Sequence, residues 1–120
     1  AICVLSFNTE KYILKVLNDL KVLKFPIVII DDASNDKSLD VVKDFKKENP
    51  DTYCEVIENK SNQGAGQSCR TLIKHCKEIG YKYIVKVDGD DQFDINDIKK
   101  IILKLETKKY DFIKSNRFWK

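Results

Sequence analysis

Val85-Lys86-Val87-Asp88-Gly89-Asp90-Asp91-Gln92 is the stretch that decides the fold of this chain. An apolar run stops abruptly in three carboxylates and a carboxamide. Such runs read as strands, and acidic groups just past a strand's carboxyl end are where open α/β sheets bind ligands. One glycine separates Asp88 from Asp90, so in a turn both carboxylates can face one centre with no side-chain bulk between them. Converging carboxylates repel each other unless a cation joins them. Mg²⁺ or Mn²⁺ is the natural partner where phosphate oxygens complete the shell. A solvated acidic turn is the plainer reading, and the rest of the chain decides between the two.

Upstream, the same pattern recurs. Residues 2–7, Ile-Cys-Val-Leu-Ser-Phe, predict a first buried strand that ends at Asn8 and Thr9, either of which can cap the next helix. Ile13, Val16, Leu17 and Leu20 recur at helical spacing and predict a helix over about 10–21. Ile27-Val28-Ile29-Ile30 suits a strand buried on both faces, as in a parallel sheet. It runs into Asp31-Asp32-Ala33-Ser34-Asn35-Asp36, a turn whose side chains can cap a helix and also accept hydrogen bonds from a base or a ribose.

A helix over about 38–48, with Leu39, Val42 and Phe45 inward, precedes a strand at Tyr53–Ile57. The polar loop Asn62-Gln63-Gly64-Ala65-Gly66-Gln67 then opens a helix with Leu72, Ile73, Cys76 and Ile79 inward and Gly80 at its end. A lone G-x-G lacks the full dinucleotide fingerprint and the Walker lysine, so it reads as a loop approaching a ligand. Tyr83–Val87 is the strand that carries the central carboxylates. Asp94 caps a last helix with Ile98, Ile101, Ile102 and Leu105 inward, and Asp111–Lys114 is expected to be a fifth strand.

Alternating β and α segments with crossovers of this length imply an α/β fold: a mostly parallel sheet with helices on both faces. Right-handed crossovers gather the carboxyl ends on one rim. Asn8, the Asp31–Asp36 loop, the Asn62–Gln67 loop, the Asp88–Gln92 loop and Arg117 are expected there. That many polar strand ends on one rim exceeds what solvation requires. It points to one extended, phosphate-rich ligand.

Composition sets the outer limits. The 120 residues suffice for one domain, expected over 1–120, and 42% hydrophobic with 34% charged residues is a folded, water-soluble composition. No apolar run is long enough to span a membrane, and no signal-peptide pattern is present. A net charge of +3 with mixed signs permits an anionic ligand or a lipid surface, but no basic stripe suggests nucleic acid. Cys3, Cys54, Cys69 and Cys76 form no C-x-x-C pair, and core thiols in a reducing cytoplasmic compartment fit them better than a zinc site.

Taken together, these motifs resemble the amino-terminal half of family 2 glycosyltransferases, nearest the branch that loads mannose or glucose onto dolichyl or undecaprenyl phosphate. Val4-Leu5-Ser6-Phe7-Asn8 is similar to the opening strand, and Ile30 to Asp36 to the acidic nucleotide loop. Asn62-Gln63-Gly64-Ala65-Gly66 is similar to the Asn-x-Gly-x-Gly loop, and Asp88-Gly89-Asp90 to the D-x-D metal motif. Ser115-Asn116-Arg117-Phe118 is similar to a Gly-Ser-Arg-aromatic segment. The chain departs from the pattern at Leu5 (usually proline), Thr9 (often glutamate), Ala33 (commonly glycine) and Phe93-Asp94-Ile95-Asn96 (His-Pro-Pro-Glu in the lipid-phosphate branch).

The resemblance implies a GT-A nucleotide-sugar fold, incomplete at its carboxyl end, and an inverting transferase using Mg²⁺ or Mn²⁺. Its donor would be a UDP- or GDP-linked sugar and its acceptor a lipid phosphate or a glycan. Ser6, Asn8, Asp31, Asp32, Asn62, Gly64, Gly66, Asp88, Gly89 and Asp90 would form the nucleotide-sugar site, with Asp32 at the base. Asp88, Asp90 and Gln92 would hold the metal, and Asp90 and Arg117 would serve the reaction, Arg117 at a phosphate.

Two other classes fit the sequence less well. A nucleotidyltransferase would carry a glycine- and lysine-rich loop after the first strand, where Asn8-Thr9-Glu10-Lys11 stands. A receiver-like binding module would need an acidic pair at the first strand and an aspartate ending the third, where Asn8 and Glu58-Asn59 stand. The sequence also predicts that the natural chain continues beyond Lys120, covering Phe118 and Trp119, supplying acceptor contacts and placing the enzyme at the cytoplasmic face of a membrane. Residues 1–120 alone should then give no product with labelled nucleotide sugars and polyprenyl phosphate. Metal-dependent turnover by this segment would refute that expectation.

Overall fold

The computed structural model describes residues 1–115. Four strands form one parallel sheet in the order β3-β2-β1-β4: β1 (Ile2–Ser6), β2 (Ile27–Asp31), β3 (Cys54–Glu58) and β4 (Val85–Asp88). Helices α1 (Ile13–Lys21), α2 (Ser38–Glu48), α3 (Ala65–Ile79) and α4 (Ile95–Glu106) connect and flank them.

Every residue of β1 and β2 is buried, because these central strands are covered on both faces. The pleat sends alternate side chains to two separate cores. Ile2, Val4, Ile27 and Ile29 meet Ile13, Val16, Leu17 and Leu20 of α1, Val42 and Phe45 of α2, and Ile98 and Leu105 of α4. Cys3, Leu5, Val28 and Ile30 meet Leu72 and Cys76 of α3. The topology accounts for this division. The β1-to-β2 and β2-to-β3 crossovers step one way along the sheet, and the β3-to-β4 crossover returns past β1 in the other direction. Right-handed crossovers therefore put α3 on the opposite face. The reversal leaves a crevice at the strand carboxyl ends, flanked by β1 and β4.

Several boundaries differ from the sequence expectation. Helix α1 starts at Ile13 rather than near residue 10, because the Tyr12 and Ile13 N–H groups both donate to the Thr9 carbonyl and hold the intervening chain in a turn. Neither Asn8 nor Thr9 caps the helix with its side chain: Asn8 reaches the β2–α2 loop, and Thr9 turns inward to Ser6. The β4 ladder begins at Val85, paired with Ile2, where β1 itself begins. Ile73 and Ile79, expected inside, are 47% and 46% exposed, because the single row of α3 that faces the sheet is filled by Ser68, Leu72 and Cys76.

The expected fifth strand is not formed among the described residues. Phe112 is 81% exposed, and of this segment's two apolar residues only Ile113 packs on a core. Other expectations hold. Gly80 ends α3 in the left-handed conformation, with φ 97° and its N–H donating to Cys76 and Lys77, and the Asp94 carboxylate accepts from Asn96 N at the start of α4. No helix among the described residues is long and apolar enough to cross a membrane.

Among the described residues β4 pairs only with β1, and its alternate residues Lys86 and Asp88 are exposed. Ile29, fully buried at the centre of the sheet, reports on the larger core. Ile29→Ala should cost about 2–5 kcal/mol in urea unfolding, the usual loss for an aliphatic truncation that leaves a cavity. A loss below about 1 kcal/mol would mean that the core is loosely packed.

Candidate functional site

At the carboxyl rim, four loops meet around a cavity of about 420 Å³. Its wall includes Ser6, Phe7 and Thr9 at and just past the end of β1, Asp32 after β2, Asn62, Gly64 and Ala65 at the start of α3, and Asp88, Gly89 and Asp90 at and just past the end of β4. Seven of the residues expected from sequence thus come together: Ser6, Asp32, Asn62, Gly64, Asp88, Gly89 and Asp90. Asn8, Asp31, Gly66 and Gln92 lie outside the wall, and Arg117 lies outside the described residues.

The β1–α1 and β2–α2 loops are laced together. Asp31, 2% exposed, accepts from Ser34 N (2.9 Å) and from the Ser34 hydroxyl (2.6 Å). The same Ser34 oxygen accepts from Asn8 N, and Asn8 Oδ1 accepts from Asn35 N. Thr9 N donates to Ser38 Oγ at 2.7 Å, and Glu10 N donates to Asp36 Oδ2 at 3.1 Å. Asp31 and Asn8 therefore shape this side of the rim from behind the wall. Ala33 holds a positive φ of 58° in this turn, the conformation that glycine adopts without strain.

Asp32 joins β2 to the loop before α3. Asn59 Nδ2 and Gln63 N each donate to its Oδ1 at 2.8 Å, and Gly64 N donates to its Oδ2 at 2.9 Å. Burial pushes its carboxyl up, but hydrogen bonds from Gln63 N, Asn59, Ser68 and Gly64 N outweigh this and hold it below the ordinary aspartate value.

The acidic turn is anchored through its glycine. Gly89 N donates to the Leu5 carbonyl at 2.8 Å. A Cβ on Gly89 would lie 3.0 Å from that carbonyl oxygen, 3.1 Å from Ile13 Cδ1 and 3.3 Å from Thr9 Oγ1. The glycine is thus required by close approach, not only by the freedom it gives to the flanking carboxylates.

The three carboxylates of the turn have different surroundings. Asp88 Oδ1 lies 2.7 Å from Lys86 Nζ. Asp90 Oδ1 accepts from Gln92 N at 3.3 Å. Asp91, at φ 61°, is tied to Lys15 of α1 at 2.9 Å, and Lys15 also holds Asp19 at 2.8 Å. Asp88 and Asp90 therefore face the cavity while Asp91 is drawn to α1.

Among the described residues no group of three or more His, Cys, Asp or Glu is placed to hold a metal. Two hard carboxylates still suit Mg²⁺ or Mn²⁺, which are commonly held by one or two carboxylates together with phosphate oxygens. Phe7, Thr9, Ala65, Asn59, Ser68 and Lys86 were not singled out as site residues from sequence. An Asn after a strand and a Ser one turn into the predicted helix were the sequence signals for Asn59 and Ser68.

Comparisons with known proteins bear on the family and the fold. The family model described as Glycosyl transferase family 2 matches residues 1–120. An uncharacterized protein of Methanocaldococcus jannaschii is 38% identical over 117 residues, covering 96% of this chain and 50% of that protein. The UDP-N-acetylglucosamine–dolichyl-phosphate N-acetylglucosaminyltransferase of Methanococcus voltae is 26% identical over 123 residues, covering 93% of this chain and 49% of that enzyme. This chain therefore spans about half the length of these relatives. A mannosyltransferase of Pyrobaculum calidifontis, solved with GDP-Man and Mn²⁺, superposes with a TM-score of 0.66 at 21% identity, over 74% of this chain and 26% of that one.

Gly89→Ala should cost roughly 1–3 kcal/mol, the usual penalty for overpacking against backbone. Denaturant unfolding would measure it, and an unchanged midpoint would mean that the turn shifts freely away from Leu5.

Proposed function

Because this chain belongs to glycosyl transferase family 2, we propose that it forms the donor-binding part of an inverting, metal-dependent glycosyltransferase. The observation that supports this most is the meeting of Asp88 and Asp90 with the Asp32-held loop around one cavity at the strand carboxyl ends. The cavity falls within the usual size range of small-ligand sites.

In this reading the nucleoside diphosphate lies across the rim, with its nucleoside towards Phe7, Asp32, Asn62 and Gly64. Phe7, 45% exposed on the wall, offers an apolar ring face to a base or ribose. Asp88 and Asp90 would hold Mg²⁺ or Mn²⁺, with Gln92 as a further ligand. When bound, such an ion supplies charge stabilisation at the departing diphosphate. The protein residues fix the donor so that one face of its sugar stays open to the acceptor. Support for the metal comes from the donor chemistry of the two carboxylates and from the Mn²⁺ bound in the Pyrobaculum neighbour.

For the acceptor we propose a polyprenyl phosphate, on the strength of the dolichyl-phosphate enzyme among the relatives. An acceptor that already carries a negative oxygen needs no strong base to attack, only cations to hold it. Arg117 would supply one, since its planar fork suits phosphate. The whole enzyme would then work at the cytoplasmic face of a membrane.

Calorimetry with UDP and GDP, with Mn²⁺ and then with a chelator, tests the donor reading. Affinity should fall on chelation, and Mn²⁺ alone should bind weakly, because two carboxylates make an incomplete shell. Equal nucleotide affinity in both conditions would remove the metal from the proposal. Asp90→Asn should abolish the metal-dependent part of binding while changing stability by no more than about 0.5 kcal/mol, as is usual for solvent-accessible positions.

A further inference from the structure

Asp88, Asp90 and Asp91 crowd one short turn, and they differ in how their charge is met. Carboxylates this close in sequence repel one another unless a cation stands among them. Asp91 lies 2.9 Å from Lys15 of α1, which also binds Asp19. Asp88 lies 2.7 Å from Lys86. Among the described residues Asp90 has only the Gln92 N–H, at 3.3 Å. Two of the three charges are thus matched by lysines of the protein itself, and the third is left open in the cavity wall.

The two lysines are placed differently. Lys15 reaches over from a neighbouring helix and bridges two carboxylates, so it ties the turn to α1. Lys86 belongs to β4 and stands two residues before its partner, on the same face of the strand. Its ammonium binds one oxygen of one carboxylate, and the two side chains are 42% and 50% exposed. An ion pair this open to water contributes little to stability and is readily exchanged for another partner. Lys86 lies outside the cavity wall while Asp88 lies in it, so the ammonium can withdraw without rearranging the wall.

We propose that Lys86 is a placeholder: its ammonium neutralises Asp88 in the metal-free protein and gives way when a divalent cation is bound there. The proposal rests on the metal reading above and adds a residue to it. A divalent ion prevails because it carries twice the charge and is shared with Asp90, with which Lys86 forms no ion pair among the described residues. The lysine keeps the acidic turn from repelling itself while no metal is present. It also makes metal capture weaker than two free carboxylates would give.

The test titrates Mn²⁺ alone into the full chain and its Lys86→Met and Lys86→Arg variants, by calorimetry at low ionic strength. Lys86→Met keeps the apolar stem and removes the charge. It should bind Mn²⁺ roughly two- to fivefold tighter, the factor that an exposed ion pair of this kind is worth. Lys86→Arg keeps a cation on Asp88 and should bind as the parent protein does. In parallel, side-chain ammonium resonances of the parent protein are followed while diamagnetic Mg²⁺ is added. The Lys86 signal should shift and exchange faster with water, and the Lys15 signal is the internal reference.

Unchanged or weaker Mn²⁺ binding in Lys86→Met would overturn the proposal, since a lysine that only packs, or one that orients Asp88 for the metal, gives those results. Equal tightening in the methionine and arginine variants would overturn it as well. So would tightening in Lys86→Met with no change at the Lys86 ammonium of the parent, because a general effect of charge would then suffice. Lys86→Gln, which also removes the charge, takes the place of Lys86→Met if that variant does not fold. If neither the parent nor the variants bind Mn²⁺, even with UDP or GDP present, the metal reading fails and the placeholder falls with it. Binding by the parent without a gain in Lys86→Met leaves the metal reading standing and removes this proposal alone.

Discussion

Parallel pairing of four strands is the constraint from which the rest of this molecule follows. It obliges each connection to cross from one end of the sheet to the other, which requires the intervening helices. It buries β1 and β2 on both faces and puts all four carboxyl ends on one rim. The reversal of direction before β4 then parts α3 from the other helices and opens the crevice. The cavity is a consequence of this arrangement, and its polar residues stand where the strands end.

The rim is ordered by short polar bonds between loops rather than by packing. Asp31 shapes the β2–α2 turn, and Asp32 shapes the approach to α3. Gly89 ties the acidic turn to β1, and Lys15 ties it to α1. Each loop is fixed to a different neighbour, so the wall is largely assembled without its ligand. Preorganisation of this kind reduces the ordering cost that binding would otherwise pay.

Much of this was legible in the sequence. Ile27 to Ile30 could scarcely be anything but a doubly buried strand. Ile13, Val16, Leu17 and Leu20 fixed the inner face of α1, and Gly80 marked the end of α3. These signals are local, and local physics decides them. The readings that failed depend on partners distant in sequence. Ile73 and Ile79 fit a helical stripe, but the sheet leaves room for only one row of α3. Asp111 to Lys114 has strand-like alternation, but a strand exists only where another strand pairs with it. The site was legible as a set of residue types at strand ends, which is enough to recognise the family. The division of labour among Asp31, Asp32, Asp88 and Asp91 was not, because identical side chains acquire different tasks only from the donors that surround them.

The exposed Lys86–Asp88 pair on β4 has a consequence for the molecule in concentrated solution. Among the described residues β4 has a neighbouring strand on one side alone, and the open side of such a strand is a template on which another chain can add itself. Alternating valine with lysine and aspartate leaves one face of this strand apolar for its own core and the other charged. A second copy docking edge to edge would have to strip this ammonium and this carboxylate of water. The Lys86–Asp88 pair, whose aspartate lines the cavity, thus guards this edge of the described sheet against growing into a fibre.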